Sequence, residues 1–382
     1  MRMGSNRVEL DTTSGGITFF DAQNKPHLLH PLWIRERTCG PDDFDALTQQ
    51  RLYEHAEFAP DLKITSIDDD ANDQCGITFS DGYSAQINLN NIRRELGWQS
   101  NSEAMPIPRT WNGALNSLPE MSWHDLDDPK NIMALLETYF QHGFCIINDT
   151  PTEKDSLKTI ARRFGYMRET NFGELFNVET KPNPSDLAYT DVALASHTDN
   201  PYRQPVPGIQ FLHCLKNEVA GGMSTLVDGI AIAEALHTES PEQARMLEEV
   251  VLRYRYEGPS AILEHHGPII ERDHRGYIRH IRLSSRLDYV PAIAPERLDV
   301  FYAGRRRLHE MSNSAEFQIS FPFKPGLLLM MDNYRLLHGR TAFNGKQGHR
   351  HLQGGYIDHD GPASLYRMLK RGDQITWAVR ET

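Results

Sequence analysis

Three side chains in this sequence of 382 residues have the types and spacing to share one metal ion. In Ala195-Ser-His-Thr-Asp-Asn-Pro, His197 and Asp199 stand two apart. Residues two apart on an extended strand project to the same face, which sets an imidazole beside a carboxylate. His338 follows 141 residues later, in Asn333-Tyr-Arg-Leu-Leu-His-Gly-Arg, after the apolar run Gly326-Leu-Leu-Leu-Met-Met. Two imidazoles and one carboxylate on one face of an octahedral ion leave three positions open. That arrangement suits non-haem Fe(II), which must admit a co-substrate together with O2, whereas zinc is more often held by three or four tetrahedral protein ligands. Arg350, in Gly348-His-Arg-His-Leu-Gln-Gly-Gly-Tyr, comes twelve residues after His338. A guanidinium one strand beyond the last ligand is placed to pair with a carboxylate, as the far end of 2-oxoglutarate requires. Ser224 or Thr225, in Gly221-Gly-Met-Ser-Thr, adds a hydroxyl to the same pocket.

The His-x-acid motif alone is weak. With 17 histidines and 52 acids, about two such pairs arise by chance, and His55-Ala-Glu and His237-Thr-Glu are indeed present without matching context. By itself His197 reads equally as a histidine satisfied by a backbone group, and Arg350 as a surface ion pair. The distal histidine and the spaced arginine together carry the metal reading. Asp332 and Arg340 flank His338 and either orient it or form a structural ion pair.

The elements that must position these residues are legible in outline. The pieces Gly16-Ile-Thr-Phe-Phe, Leu62-Lys-Ile-Thr-Ser-Ile and Gly76-Ile-Thr-Phe-Ser are β-rich, and the last two flank an acidic turn as in a hairpin. Ser100–Pro119 turns to Asn, Ser and Pro without periodicity. The reading is a small N-terminal β-rich domain (1–100), a linker (101–119) and a larger catalytic domain (120–382). Ile132, Leu135, Leu136, Tyr139 and Phe140 recur at helical spacing before a stop at Gly143. Phe144–Ile147 then reads as a buried strand and Leu157–Phe164 as a second helix. Ser240-Pro-Glu-Gln predicts a helix start with a capping box, and Met246, Leu247, Val250 and Val251 its core face. Glu296–Met311 is a further helix. Gly208–Cys214, Ser224–Asp228, Tyr277–Leu283 and Phe317–Phe321 have strand character. Helices precede and interrupt an antiparallel core, an α+β or mainly β arrangement.

Composition narrows the class. The formal charge is −12, mean hydropathy is −0.54, and hydrophobic residues make up 39 %, enough to bury a sizeable core. No apolar run approaches the roughly 20 residues of a membrane span, and MRMGSNRVELD has no apolar segment of a secretory signal. Cys39, Cys75, Cys145 and Cys214 lie far apart with no CxxC, which points to a reducing, cytoplasmic setting. A pI near 5.8 without a long basic block disfavours nucleic acid as a partner. Neither GxGxxG nor GxxxxGK[ST] occurs, which removes the nucleotide-binding readings.

On these residues the chain resembles the γ-butyrobetaine dioxygenase family of Fe(II)/2-oxoglutarate oxygenases, over nearly its whole length. The matching motifs are His197-Thr-Asp, Leu212-His-Cys, Gly221-Gly, Val227-Asp-Gly, Asn333-Tyr-Arg-Leu-Leu-His-Gly-Arg and Arg350-His-Leu-Gln-Gly-Gly-Tyr. The resemblance implies a double-stranded β-helix (jelly-roll) core behind a small N-terminal domain, in a homodimer. It implies His197, Asp199 and His338 as iron ligands and Arg350 as the 2-oxoglutarate anchor, with succinate and CO2 as products beside the hydroxylated substrate. It also implies an aromatic cage for a trimethylammonium group, at Phe172, Phe176, Tyr189 and Tyr356; a quaternary nitrogen offers no hydrogen-bond donor, so cation–π attraction and methyl contact must hold it. Phe172 and Phe176 also stand at the spacing of a helix core stripe.

Departures from the family pattern are informative. Many members hold zinc through a Cys-x-Cys-x-x-Cys run and a later histidine. Here Thr38, Gly40, Asp43 and Tyr83 fall at those positions, and Cys39 alone cannot hold zinc, so none is expected. In the substrate pocket, Leu283-Ser-Ser-Arg-Leu-Asp replaces an Asn-Asn pair, and Asn200, before Pro201-Tyr-Arg, replaces a tyrosine. Lys216 matches a lysine that meets the substrate's anionic end. Asn200, Tyr202, Arg203, Ser284, Arg286 and Asp288 are thus candidate substrate residues. Small serines beside an added arginine suit an anion with more acceptor oxygens than a carboxylate. The likeness is therefore to the branch acting on 2-(trimethylamino)ethylphosphonate, with hydroxylation at the carbon next to phosphorus. γ-Butyrobetaine or trimethyllysine hydroxylation is the alternative on the same scaffold, and a non-catalytic quaternary-amine-binding protein the alternative of another class.

Overall fold

The computed structural model describes residues 7–69, 73–99, 104–179, 192–345 and 348–372. It divides into two compact units, Met1–Ala104 and Met105–Thr382.

In the first unit, two antiparallel three-stranded sheets (Val8–Asp11, Gly16–Phe20, Pro26–Leu29; and Ile64–Asp69, Gln74–Phe79, Ser84–Asn88) and the helices Pro31–Arg35 and Leu89–Glu95 enclose one core. Ile17, Phe19, Ile34, Ile64, Ile77, Phe79, Ile87 and Ile92 fill it. The four positions that the family pattern aligns with zinc ligands, Thr38, Gly40, Asp43 and Tyr83, form a device of another kind. Asp43 pairs with Arg35 at 2.8 Å, Thr38 donates to the same Asp43 oxygen at 2.7 Å, and the Tyr83 hydroxyl donates to it as well. The Arg35 guanidinium lies 3.7 Å from the Tyr83 ring centroid and 4.7 Å from that of Phe58. Any Cβ at position 40 would meet the Tyr83 hydroxyl at 2.7 Å. A set with no thiolate or imidazole, whose one carboxylate already holds a cation, does not fit zinc.

The second unit is built on two sheets. The strands of these two sheets are β1 (Glu120–Ser122), β2 (Phe144–Asn148), β3 (Leu175–Glu179), β4 (Leu194–His197), β5 (Ile209–Asn217), β6 (Ser224–Asp228), β7 (Gln318–Phe321), β8 (Leu328–Asp332), β9 (Leu336–Arg340) and β10 (Arg350–Ile357), with smaller sheets formed by segments between Leu252 and Tyr289. One sheet runs β3-β10-β5-β8-β2-β1 and the other β4-β9-β6-β7. Every pairing is antiparallel except β1 with β2. Strand alternation explains the packing. Phe144, Ile146, Cys214, Leu329 and Met331 point inward from the larger sheet and meet Leu226, Ile319, Phe321 and Leu336 from the smaller. The alternate residues Cys145, Ile147, Phe211, Leu328 and Met330 face outward onto the helices Pro129–His142, Ser156–Arg162 and Asp360–Arg371. Val227 and Leu337 on the smaller sheet face the helices Gly229–Glu239, Pro241–Glu249 and Pro295–Ser312. Burial on both faces is why β2 and β8 read as continuous apolar runs. This is a double-stranded β-helix with helices on its outer faces.

Residues 105–118 have no regular structure, and Trp111 is buried against Phe144, its Nε1 donating to the His142 carbonyl at 2.8 Å. The helix Pro129–His142 ends at Gly143, whose φ of 79° favours glycine. Two local expectations are corrected. Ser240 precedes the helix Pro241–Glu249 but its side chain makes no cap bond. Val251 is exposed, because the chain leaves the helix at Val250 and the next strand turns Leu252 inward instead. All four cysteines are free thiols, and no described helix is long and apolar enough to cross a membrane.

Candidate active site

β4 and β9 pair with His197 directly opposite His338, so the two imidazole centroids lie 4.4 Å apart. Gly339 permits this closeness: a Cβ there would come 2.6 Å from the Leu194 carbonyl and 2.8 Å from Thr225 Oγ1. Asp199 arrives by a different route from the strand alternation expected of it. β4 ends at His197, and Asn333, fully buried, clamps the Asp199 backbone instead. Asn333 Oδ1 accepts from the Asp199 N–H at 2.8 Å, and Nδ2 donates to the Asp199 carbonyl at 3.0 Å. The outcome is one cluster: Asp199 Oδ1 is 3.5 Å from His197 Nε2 and 3.7 Å from His338 Nε2. Among the described residues this is the group of three whose candidate ligand atoms all lie within 4.8 Å of one another.

Protonation favours ligation. His197 Nδ1 is 2.9 Å from the Ala195 carbonyl, which can only accept, so Nδ1 donates there and Nε2 is the nitrogen turned to the cluster. Burial, with His197 beside it, pushes His338 down to about 3, leaving it neutral. Burial opposes the charge on Asp199, but His338, His197 and the Tyr356 hydroxyl outweigh it and hold the carboxyl below its ordinary value. Asp199 Oδ2 accepts from Gln210 Nε2 at 2.7 Å and from the Tyr356 hydroxyl at 2.8 Å. A carboxylate and two imidazole nitrogens turned to one point fit a ferrous ion.

Arg350 opens β10, is 4 % exposed, and its Nε has no partner among the described residues. Burial lowers its pKa, and the nearby Cys214 works against that. Its guanidinium carbon lies 5.5 Å from the Phe343 centroid, a ring it shares with Arg340 at 4.8 Å. Arg340 stands two residues beyond His338 on β9. Among the described residues no acid pairs with Arg350, and a buried cation is costly unless something supplies a counter-charge, so Arg350 fits the far carboxylate of 2-oxoglutarate. Ser224 and Thr225, both buried on β6, pair in register with Arg340 and Gly339.

Phe172, Phe176, Tyr202 and Tyr356 line one cavity of about 380 Å³ together with His197 and Asp199. Phe176 lies in β3 and Phe172 in the turn before it, so the helix-stripe reading falls away. The Phe176 ring sits 5.3 Å from that of Tyr356 and over Gly354, where a Cβ would approach to 2.2 Å. Asn200, Ser284 and Arg286 line the same cavity. Tyr189 lies outside the described residues.

Three substrate candidates are elsewhere. Lys216 is exposed and pairs with Glu218 at 2.9 Å, six residues along β5 from Gln210 and so about 20 Å away at strand rise. Asp288 is buried against Arg305 at 2.7 Å. Arg203 is not among the cavity's lining residues; it lies near Phe172 and Tyr202 and bonds Asn171. Neither Asp332 nor Arg340 orients His338: Asp332 pairs with His359 at 3.0 Å, Arg340 donates to the Val192 carbonyl, and His338 Nδ1 has no partner among the described residues. Sequence reasoning missed Gln210 and Tyr256. A lone glutamine in the apolar strand Ile-Gln-Phe-Leu was the available signal for Gln210. Tyr256, stacked on Tyr202 at 5.1 Å and edge-on to Phe172 at 5.6 Å, carried none.

Residues 105–356 match the family described as taurine catabolism dioxygenase TauD, TfdA family. Among curated proteins, the chain is 32 % identical over 360 residues to a gamma-butyrobetaine dioxygenase of Pseudomonas sp. (strain AK-1), covering 93 % of each chain. It is 30 % identical to a gamma-butyrobetaine dioxygenase of Pongo abelii, covering 90 % of this chain and 92 % of that one. It is 27 % identical to a mitochondrial trimethyllysine dioxygenase of Gallus gallus, over 88 % of this chain and 82 % of the relative.

Proposed function

The chain belongs to the TauD, TfdA dioxygenase family and is a 2-oxoglutarate-dependent non-haem iron dioxygenase; from that premise we propose that it hydroxylates a small trimethylammonium compound with an anionic far end, 2-(trimethylamino)ethylphosphonate, at the carbon next to phosphorus. When bound, Fe(II) and 2-oxoglutarate supply O2 activation, with 2-oxoglutarate leaving as succinate and CO2 and a hydroxyl delivered to a substrate C–H.

The chain's own residues do the positioning in this reading. His197, Asp199 and His338 hold the metal, while Arg350, with Ser224 or Thr225, holds the co-substrate. Phe172, Phe176 and Tyr356 receive the cation through ring faces and exclude water from it. Arg286, Ser284 and Asn200 receive the anion. Fixing both ends matters because a displacement of about 1 Å can cost roughly 100-fold in rate.

The carrying observation is that aromatic rings and a guanidinium line one cavity with His197 and Asp199, two of the three candidate ligands, and that no ion pair engages Arg286 among the described residues. A phosphonate, with three acceptor oxygens, uses such donors more fully than a carboxylate does. The γ-butyrobetaine reading is favoured by the relatives of that name. Comparing kcat/KM for the phosphonate and γ-butyrobetaine tests the choice: higher turnover of the phosphonate is expected, and a clear preference for the carboxylate overturns it. A homodimer and a zinc-free N-terminal domain complete the reading, checked by sedimentation and metal analysis.

A further inference from the structure

Asp199 presents two oxygens with opposite surroundings. Oδ1 faces the two imidazoles, at 3.5 and 3.7 Å. Oδ2 takes two donors, Gln210 Nε2 and the Tyr356 hydroxyl. These donors come from neighbouring strands, and Gln210 and Tyr356 are direct partners in the β5–β10 register. Opposed side chains on one face stand about 5 Å apart, so both reach the same atom without leaving their strands.

Gln210 is conspicuous for a second reason. It is 1 % exposed, and its Oε1 has no partner among the described residues. Burying an amide with an unmet acceptor is unfavourable. Its one side-chain bond among the described residues is the one to Asp199.

From this geometry we infer that Gln210 and Tyr356 are positioning residues that commit Asp199 to the metal through Oδ1 alone. With both donors in place, Oδ2 is engaged and turned from the imidazoles. Asp199 then occupies a single coordination position and leaves the others to co-substrate and O2. Tyr356 has two separable duties: its ring, against Phe176, forms part of the cavity wall, and its hydroxyl holds the metal ligand. The inference rests on the iron-dioxygenase reading but not on the identity of the substrate.

The test uses the full-length protein, stripped of metal and titrated anaerobically with Mn(II), with thermal melting as a control. Partners that orient a metal ligand are worth about 10–100-fold in affinity. Tyr356→Phe and Gln210→Leu should each weaken Mn(II) binding at least fivefold, and at saturating Mn(II) 2-oxoglutarate should also bind more weakly. Tyr356→Phe keeps the ring, so tetramethylammonium should bind as in the parent, whereas Tyr356→Leu should lose both ligands. Should Gln210→Leu fail to fold, Tyr356→Phe carries the test alone. Less than a fivefold change in Mn(II) affinity, with or without a lowered melting temperature, overturns the inference and leaves the two residues a purely structural role. Failure of the phosphonate preference alone would leave this result untouched.

Discussion

Two buried histidines outside the metal cluster make the protein's stability fall steeply with acid. His280 is 1 % exposed, lies flat on Tyr334 at 3.9 Å between ring centroids, and neither ring nitrogen has a partner among the described residues. Burial pushes its pKa down to about 2, with Arg282 and Arg279 adding to the effect. His213 is fully buried, with Nε2 2.9 Å from Thr150 Oγ1, and burial pushes it down to about 4. Both folded values lie below the unfolded 6.5, so the unfolded chain takes up protons first as pH falls. The stability is therefore whole above about pH 6.5 and is lost progressively toward each folded pKa. From pH 7 to pH 5 the loss is about 2 kcal/mol per histidine, or about 4 kcal/mol for the pair, at 1.36 kcal/mol per pH unit. Denaturant unfolding of the parent and of His280→Phe, which keeps a flat ring against Tyr334, isolates one share. The variant's loss between pH 7 and 5 should be smaller by about 2 kcal/mol. Equal pH dependence in the two proteins, or His280 ring resonances titrating near 6.5, would refute the reasoning.

The remaining predictions concern the two units separately. Arg35→Met leaves the Asp43 carboxylate buried without its cation and should cost about 3–5 kcal/mol, read as a lower unfolding midpoint of the N-terminal unit; chelators should leave the parent's midpoint unmoved. Phe176→Leu removes a ring from the cage, and a cation–π contact of about 0.5–2 kcal/mol predicts a rise of roughly 2- to 30-fold in KM for the trimethylammonium substrate. A neutral tert-butyl analogue should be much less sensitive, and an equal loss for both would reduce the ring to plain apolar surface. Arg286→Gln forfeits a charge-assisted bond of about 1.5–3 kcal/mol, so kcat/KM for the anionic substrate should drop by at least tenfold; an unchanged value would remove Arg286 from the anion site.

The parts of the protein that follow from local rules were readable in the amino-acid order. Apolar runs marked β2 and β8 because burial on both faces leaves no alternation to obscure, and Gly143 marked a helix end because its backbone needs a positive φ. His197, Asp199 and His338 could be grouped by residue type, but the reason they meet was hidden. The pairing of His197 with His338 is a register between strands far apart in sequence, and the position of Asp199 depends on Asn333. Lys216 misled for the same reason: its match was local, while six residues of strand carry it away from the cavity. Tyr256 enters the aromatic group through tertiary packing alone, which no spacing announces.

The central claim is most directly tested by one stoichiometry. The protein is incubated with Fe(II), 2-oxoglutarate, O2 and 2-(trimethylamino)ethylphosphonate, and succinate is measured against a product heavier by one oxygen atom. The account predicts one succinate per hydroxylated phosphonate, dependent on added iron and abolished in His197→Ala. Succinate release without any hydroxylated trimethylammonium product, or turnover that survives loss of His197, would contradict it.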